Sequence, residues 1–222
     1  MTHIKLQTPK PRKAPKAFSE FPYALGASRQ LPQFSEAKPI SPMRLFMSRR
    51  TSAPRRILTD VQLGTVLWTL GKTFEYRMQH DGRVWQHRIP PSAGGCHPID
   101  LLVFRNRRLF LYDCICHRLH RVENSRRIAL DRLFRHFAEA ATGTGDIIVL
   151  AAQFDRTMSR YAHGESLVWR DAGALIATCY LACAAHDLSC TALGPTGGSL
   201  LNEALNGKSL VEGVGGCLVG QR

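Results

Sequence analysis

The segment from Asp146 to Ala152 is almost continuously apolar, which predicts a strand buried on both faces at the centre of a sheet. Around Asp81-Gly82, a pair typical of tight turns, residues 74–78 and 84–88 predict a β-hairpin. Shorter apolar runs predict further strands at 101–104, 109–112, 119–122, 191–193 and 216–219. Much of the chain therefore has the pattern of short strands.

Other segments repeat apolar residues at a helical spacing. Thr59 or Asp60 can cap a helix that runs to Leu70. The pattern also predicts a short helix over 43–47, a helix over 128–140 and the longest helix over 169–187. Helices and strands interleave without the regular alternation of a doubly wound sheet, so the sequence predicts an α+β fold.

Residues 1–42 differ in composition from the rest of the chain. They hold seven of the 12 prolines and a net charge of +5, from seven basic and two acidic residues. Proline removes backbone donors and fixes φ, so this segment is predicted to be an extended arm. Two alternatives stay open: a partly disordered tail, or an arm that docks through its aromatic residues. We divide the chain into this arm and a globular domain over 43–222.

The whole chain of 222 residues is strongly basic, with a net charge of +13 and a pI near 9.9. This charge favours a polyanionic or phosphate-bearing partner. A hydrophobic content of 44% excludes wholesale disorder. We find no run of about 18 apolar residues and no secretory signal, and seven scattered cysteines are typical of reduced thiols. The expected location is therefore cytoplasmic, without a membrane partner.

Three segments carry candidate chemistry. Residues 90–98, Pro-Pro-Ser-Ala-Gly-Gly-Cys-His-Pro, combine a stiff entry with glycines that let backbone N–H groups approach a ligand; alone they also suit a tight surface turn. Arg49, Arg50, Thr51 and Ser52 suit a terminal phosphate, although such a run is more often a solvated basic face. Residues 194–198, Gly-Pro-Thr-Gly-Gly, follow a predicted strand and can present backbone donors.

Together these motifs resemble the nitroreductase superfamily, and in particular the azoline dehydrogenases of streptolysin- and microcin-type peptide-modification systems. The resemblance covers roughly residues 44–222. Its most specific part is the Ser-Ala-Gly-Gly-Cys-His-Pro block at 92–98. Weaker support comes from the motifs at 48–51, 67–68, 111–113, 117–119, 171–173, 195–198 and 219–222.

The resemblance implies a nitroreductase-like homodimer that binds FMN at the subunit interface. The phosphate would be held by Arg49, Arg50 and Arg222, with help from Ser52. The ribityl chain or ring edge would be contacted by Ser92, Ala93 and Gly94, and the N5/O4 edge by the backbone N–H groups of Gly197 and Gly198. Partners would be a precursor peptide and the cyclodehydratase subunits of a modification complex, with no nucleic acid involved. Residues 1–42 would serve that complex rather than the flavin site.

Two residue pairs depart from the family pattern. The Lys-Tyr pair that precedes the long helix in the peptide dehydrogenases corresponds here to Arg160-Tyr161. Arginine effectively cannot lose its proton, so Tyr161 is the expected proton handler, with Arg160 as its cationic partner and His163 in reserve. The Gln-Asn pair common inside the long helix is replaced by Ala177-Thr178.

The function implied by the resemblance is FMN-dependent oxidation of thiazoline or oxazoline rings in a precursor peptide to thiazoles or oxazoles. Two alternatives remain: an NAD(P)H-dependent nitro or quinone reductase, and a catalytically degenerate flavin-fold scaffold. A metal site is not expected. Cys114, Cys116, His117 and His120 have ligand chemistry but lack a second half, and Cys179 and Cys183 suit packing in a helix core.

Overall fold

The computed structural model describes residues 7–34, 36, 39–80, 84–123, 126–206 and 210–222. Its strands are β1 (Lys10–Pro11), β2 (Leu25–Gln30), β3 (Glu75–Met78), β4 (Val84–His87), β5 (Ile99–Arg105), β6 (Arg108–Asp113), β7 (Arg118–Val122), β8 (Asp146–Ala152), β9 (Tyr161–Ala162), β10 (Leu188–Gly197) and β11 (Glu212–Gln221). Its α-helices are α1 (Pro42–Ser48), α2 (Asp60–Gly71), α3 (Arg127–Ala138), α4 (Phe154–Met158), α5 (Glu165–Ala185) and α6 (Gly198–Ala204).

A seven-stranded sheet forms the centre of the molecule, in the order β10-β11-β8-β5-β6-β7-β2, and every neighbouring pair is antiparallel. Each residue of β8 is buried, which confirms the predicted central strand. The hairpin of β3 and β4 is also confirmed, although its turn at 81–83 lies outside the described residues. The structure confirms an α+β fold.

Helices cover both faces of the sheet. Buried side chains of α2 and α5 join one core cluster, and those of α3 and α6 join another. The start of α2 is a capping box: Thr59 Oγ1 accepts from the N–H of Gln62, and the Thr59 N–H donates to Gln62 Oε1. Val61, in the first turn of this helix, is 47% exposed. The core-facing positions of α2 therefore begin after its first turn.

The described part of the N-terminal arm is packed onto the body. Strand β2 forms an edge of the central sheet by pairing with β7, and the next residue, Leu31, is buried in the core. Strand β1 pairs with β9, where Lys10 opposes Ala162 and Pro11 opposes Tyr161. Of the two alternatives for the arm, the structure supports docking. The boundary at residue 42 divides the chain by composition, while the packing continues across it.

The long helix α5 crosses one face of the sheet. It is long and apolar enough to pass a length-and-composition test for a membrane span, a test that the core helices of soluble proteins also pass. Its buried residues include Val168, Ala172 and Cys179. Outside the core, Trp169 is 45% exposed, and a Cβ built on Gly173 meets no atom within 4 Å. One face of α5 is thus open.

Candidate functional site

The Arg-Arg-Thr-Ser motif lies where α1 ends, against α5 and β10. We call Arg49, Arg50, Thr51, Ser52 and Tyr180 the basic cluster. The guanidinium of Arg49 lies over the Tyr180 ring, 5.5 Å from its centroid, and the Thr51 and Tyr180 hydroxyls are 3.1 Å apart. Ser52 N–H donates to the carbonyl of Cys190 on β10 over 3.2 Å. The motif is therefore anchored by its backbone and by Tyr180.

The guanidiniums of this cluster remain available to a ligand. Arg50 donates to the backbone carbonyls of Met47 and Arg49 and is exposed. Among the described residues, the ion pairs include neither Arg49 nor Arg50. Arg222, which the resemblance adds to the phosphate site, instead pairs with Asp187 at 2.6 Å. The structure shows no contact that joins it to the basic cluster in the described chain.

The Ser-Ala-Gly-Gly block forms a tight loop with a 3-10 turn over Ala93–Gly95. Ser92 Oγ donates to Asp171 Oδ2 over 2.6 Å and accepts from the N–H of His97 over 2.8 Å. The N–H of Ala93 donates to Asp171 Oδ1 over 3.3 Å. Burial raises the pKa of Asp171, while the bonds from Ser92 and Ala93 oppose that rise. Two donors expected to face a flavin are thus bonded inside the protomer.

Gly94 joins this loop to both predicted catalytic residues. Its carbonyl accepts from Arg160 Nη1 over 2.5 Å, and Arg160 Nη2 donates to Gln79 Oε1 over 2.6 Å. Gly94 has φ +59°, and a Cβ built there would lie 2.7 Å from the Tyr161 hydroxyl oxygen. Both the backbone conformation and the close approach therefore require glycine. We call Ser92, Ala93, Gly94, Arg160, Tyr161 and Asp171 the loop cluster.

The N-terminal arm lies directly on this cluster. The N–H of Arg12 donates to the carbonyl of Arg160 over 2.7 Å, and the N–H of Lys16 donates to Ser159 over 2.9 Å. The arm was expected to serve partner proteins rather than the flavin site. Its described residues instead brace the segment that carries Arg160 and Tyr161, because the short strand β1 pairs with β9.

A cavity of about 830 Å³ opens beside the loop cluster, between the arm and the β3–β4 hairpin. His97 lines it and its ring bonds to the carbonyl of Gln86 at 3.0 Å, so Nε2 carries the proton. Burial and the nearby Arg88 lower the pKa of His97 to about 4. Arg156, held by Asp100 and Glu20, lines the same wall. His97 is accordingly neutral near pH 7.

Gly197 and Gly198 lie at the far end of β10, where α6 begins. Gly197 has φ +83°, and a Cβ there would press on the Phe137 ring at 3.0 Å. The ladder between β10 and β11 is irregular from Leu193 to Gly197, so the Gly-Pro-Thr segment leaves regular pairing. Thr191, beside Ser52, is six residues from Gly197, which sets an upper limit of about 20 Å on their separation.

Cys179 and Cys183 are packed in the core as expected, and His117 is buried in a turn. His117 bonds to Tyr112 Oη at 2.8 Å and to the Pro32 carbonyl at 2.9 Å, so both ring nitrogens are occupied in the β6–β7 turn. Cys179 and Cys183 are buried in the core next to Cys190, and the three sulfur atoms lie within 4.8 Å of one another. These thiols lie apart from the loop cluster in the apolar core.

Sequence reasoning missed several residues of the site. Asp171 entered the sequence analysis only as part of the motif at 171–173, yet its carboxylate holds the glycine loop. A carboxylate in an otherwise apolar helix was the available signal. Tyr180, which contacts both Arg49 and Thr51, had no local motif. Gln79 follows the hairpin strand β3 and is 81 residues from Arg160, so only the fold brings these two side chains together. Arg88 stands two residues before the glycine motif, but no local signal marked it as a residue of the site.

No protein-family model and no curated protein matches this chain. Solved structures do. A putative nitroreductase from Ralstonia eutropha superposes with a TM-score of 0.68 at 19% identity, covering 93% of this chain and 96% of that one. A putative nitroreductase from Anabaena variabilis superposes with a TM-score of 0.63 at 18% sequence identity, covering 93% of this chain and 41% of that one.

A third similar structure is a chain of the E. coli microcin synthetase McbBCD complex with truncated pro-MccB17 bound. It gives a TM-score of 0.62 at 16% identity, covering 86% of this chain and 76% of that one. At such identities the likeness defines the fold: the chain has a nitroreductase-like α+β fold, as its motifs predicted.

Proposed function

We propose that this chain is an FMN-dependent dehydrogenase that oxidises thiazoline or oxazoline rings of a ribosomally made precursor peptide to thiazoles or oxazoles. The observation that carries the proposal is the convergence of Arg160 and Tyr161 on Gly94. A predicted catalytic pair thereby lies on the loop predicted to contact the flavin. The likeness to a chain of the microcin synthetase complex supports a peptide substrate and cyclodehydratase partners.

The basic cluster fits the phosphate of FMN. Arg49 and Arg50 place two guanidiniums without ion-pair partners, among the described residues, beside the hydroxyls of Thr51 and Ser52. Paired guanidiniums make charge-assisted, bidentate contacts to phosphate. Strand β10 runs from this cluster to Gly197 and Gly198, an order that suits an elongated cofactor with its phosphate at one end and its ring at the other. Bound FMN would accept the hydride from the azoline ring.

We propose further that each complete site combines two copies of the chain. Asp171 and Tyr180, which belong to the loop cluster and the basic cluster, are about 14 Å apart along α5. Helix α1 buries none of its residues, and its Met43, Phe46 and Met47 are 66%, 58% and 68% exposed. These side chains and the open face of α5 are suited to packing against a second copy, which would bring its loop cluster to this basic cluster.

Within the loop cluster the proton-handling roles divide by chemistry. Arg160 donates to Gly94 and Gln79 and keeps its charge, so it orients the loop and attracts negative charge that develops on a substrate. Tyr161 has a hydroxyl that can receive or give a proton, and it lies against Gly94. Removal of the ring α-proton is therefore assigned to Tyr161. His163, exposed with φ +57°, is the reserve group.

The NAD(P)H-dependent nitro or quinone reductase is the second candidate. Two of the three similar structures bear the name putative nitroreductase, and Arg160 replaces the lysine of the peptide dehydrogenases. A degenerate scaffold is favoured by a different observation: the Ser92 hydroxyl and the Ala93 N–H are already bonded to Asp171. The three alternatives differ in what they do to a bound flavin.

Anaerobic single-turnover reduction discriminates among them. The purified chain, reconstituted with FMN, is mixed with an azoline peptide or with NADPH, and flavin bleaching is followed. Bleaching by the peptide with formation of an azole supports the dehydrogenase. Bleaching by NADPH alone indicates the reductase, bound flavin with neither reaction indicates the scaffold, and failure to bind FMN overturns all three.

A further inference from the structure

The cavity beside the loop cluster has a basic wall. Its charged lining residues are Lys16, Glu20, Arg88, Asp100, Arg156 and Arg160. Four of these are cationic and two anionic, and His97 is neutral because burial lowers its pKa to about 4. The wall therefore carries a net charge of about +2 near pH 7. Pro15, Ala17, Phe18 and Val84 add apolar surface. A ligand with a negative charge and an apolar body suits such a lining.

Arg156 forms ion pairs with both carboxylates of the wall. Its Nη1 lies 2.7 Å from Asp100, and Glu20, which belongs to the arm, accepts its Nε at distances of 2.9 and 3.0 Å from the two oxygens. Asp100 also accepts from Gln153 Nε2 over 2.7 Å. This pairing fixes the arm to the body and leaves Arg88 and Arg160 as cations without an ion-pair partner among the described residues.

Arg88 is held in place by neutral groups. Its Nε donates to Gln86 Oε1 over 2.9 Å, its Nη2 contacts the same oxygen, and Nη2 lies 3.2 Å from the Cys114 sulfur. Burial lowers the pKa of Arg88, which means that its surroundings disfavour the cation. A half-buried guanidinium with neutral partners is costly to the fold, and such costs are typical of groups retained for binding.

We propose that this cavity is a carboxylate-binding site in which Arg88 anchors the anionic group of a ligand beside Arg160. A carboxylate is a strong acceptor of guanidinium N–H groups and would give Arg88 the anionic partner that Gln86 and Cys114 do not supply. A single negative charge is favoured over a phosphate dianion, because Asp100 and Glu20 face the same space. If the proposed function holds, the substrate carries a carboxylate close to the ring that is oxidised. The binding test below requires no flavin, so the two proposals can fail separately.

The test uses 4-fluorobenzoate and 4-fluorobenzamide, which share size and ring but differ in charge. Their dissociation constants for the full chain are measured by fluorine NMR, with and without FMN. We expect the carboxylate to bind the wild type at least tenfold more tightly than the amide. Arg88→Gln should remove most of this preference, Arg88→Lys should retain part of it, and Arg108→Gln, an exposed arginine on β6, should leave it unchanged.

Thermal unfolding shows whether each Arg88 variant is still folded. Since Arg88 lacks a carboxylate partner, Arg88→Gln should keep or raise the melting temperature. Equal binding of the carboxylate and the amide by the wild type overturns the proposal. So does an unchanged preference in folded Arg88→Gln, or competition by inorganic phosphate at concentrations below those of the carboxylate. If Arg88→Gln does not fold, the comparison of the two ligands on wild type and Arg88→Lys still decides.

Discussion

The basic cluster and the loop cluster have opposite characters. In the loop cluster, Ser92, Ala93 and Gly94 are bonded to Asp171 and Arg160, so the polar groups are positioned before any ligand arrives. In the basic cluster, Arg49 and Arg50 are exposed and make only cation–π and backbone contacts. Preorganised groups suit chemistry that requires exact placement, whereas exposed guanidiniums suit capture of a charged group.

Because of this difference, the loop cluster contributes to the free energy of folding, whereas the basic cluster contributes mainly to the proposed binding of a ligand. The loop cluster is stabilised by its own hydrogen bonds and by the arm, so substitutions there should affect folding as well as the proposed reactivity. The basic cluster gains its main partner only when a ligand binds. Substitutions in the basic cluster should therefore change cofactor affinity with little effect on stability, and substitutions in the loop cluster should change reactivity and stability.

The largest effect is expected in the basic cluster. Arg49→Ala with Arg50→Ala removes the two proposed charge-assisted contacts to phosphate, each of about 1.5–3 kcal/mol, so FMN affinity should fall by at least about 100-fold. The melting temperature of the flavin-free chain should change little. Flavin absorbance after dialysis measures the loss, and Arg44→Ala on α1 is the matched control. A double variant that retains stoichiometric FMN contradicts the phosphate assignment.

The next effect tests the loop cluster. Tyr161→Phe removes the hydroxyl but keeps the ring, so FMN should remain bound while azoline oxidation falls about 100-fold, the usual contribution of a positioned acid or base. Arg160→Lys should retain much activity, since it restores the residue found in the peptide dehydrogenases. Anaerobic flavin reduction by the peptide measures both. Equal rates for wild type and Tyr161→Phe would move the proton transfer to His163 or to solvent.

More of the fold than of the candidate site could be predicted from the sequence. The β8 run, the hairpin and the Thr59 cap depend on residues adjacent in the chain, so local pattern sufficed to predict them. The partners Asp171 and Gln79 are 79 and 81 residues from the groups they contact in the loop cluster. Such contacts depend on how the elements pack, which local pattern does not record. The surface that the arm covers could not be predicted for the same reason: its proline content indicated an extended chain but not where that chain docks.

A third effect follows from the neutral state of His97. Its pKa in the fold is lowered from 6.5 to about 4, so its contribution to stability is fully present above pH 6.5 and is lost as the pH falls towards 4. The loss is at most about 3 kcal/mol, and partial exposure reduces it. His97→Gln keeps a donor for Gln86 but cannot titrate.

Thermal unfolding of wild type and variant between pH 7.5 and 4.5 measures this contribution. As the pH falls over that range, the melting temperature of the wild type should decrease by several degrees more than that of His97→Gln. His136→Gln, on α3, should follow the wild type. If the melting temperatures of wild type and His97→Gln changed with pH by the same amount, this histidine would not remain neutral in the folded chain.

The smallest effect concerns the contact between Gly94 and Tyr161. Gly94→Ala places a Cβ at φ +59°, which costs about 1–2 kcal/mol, and directs it at the Tyr161 hydroxyl. The melting temperature should fall by roughly 2–8 °C. Gly194→Ala on β10 is the control, because a Cβ there meets nothing within 4 Å. The double variant Gly94→Ala with Tyr161→Phe isolates the contact, since removal of the hydroxyl relieves the overlap and leaves the backbone cost. The two destabilisations should therefore sum to more than the double variant shows. Strict additivity would mean that the hydroxyl of Tyr161 does not lie against Gly94 in solution.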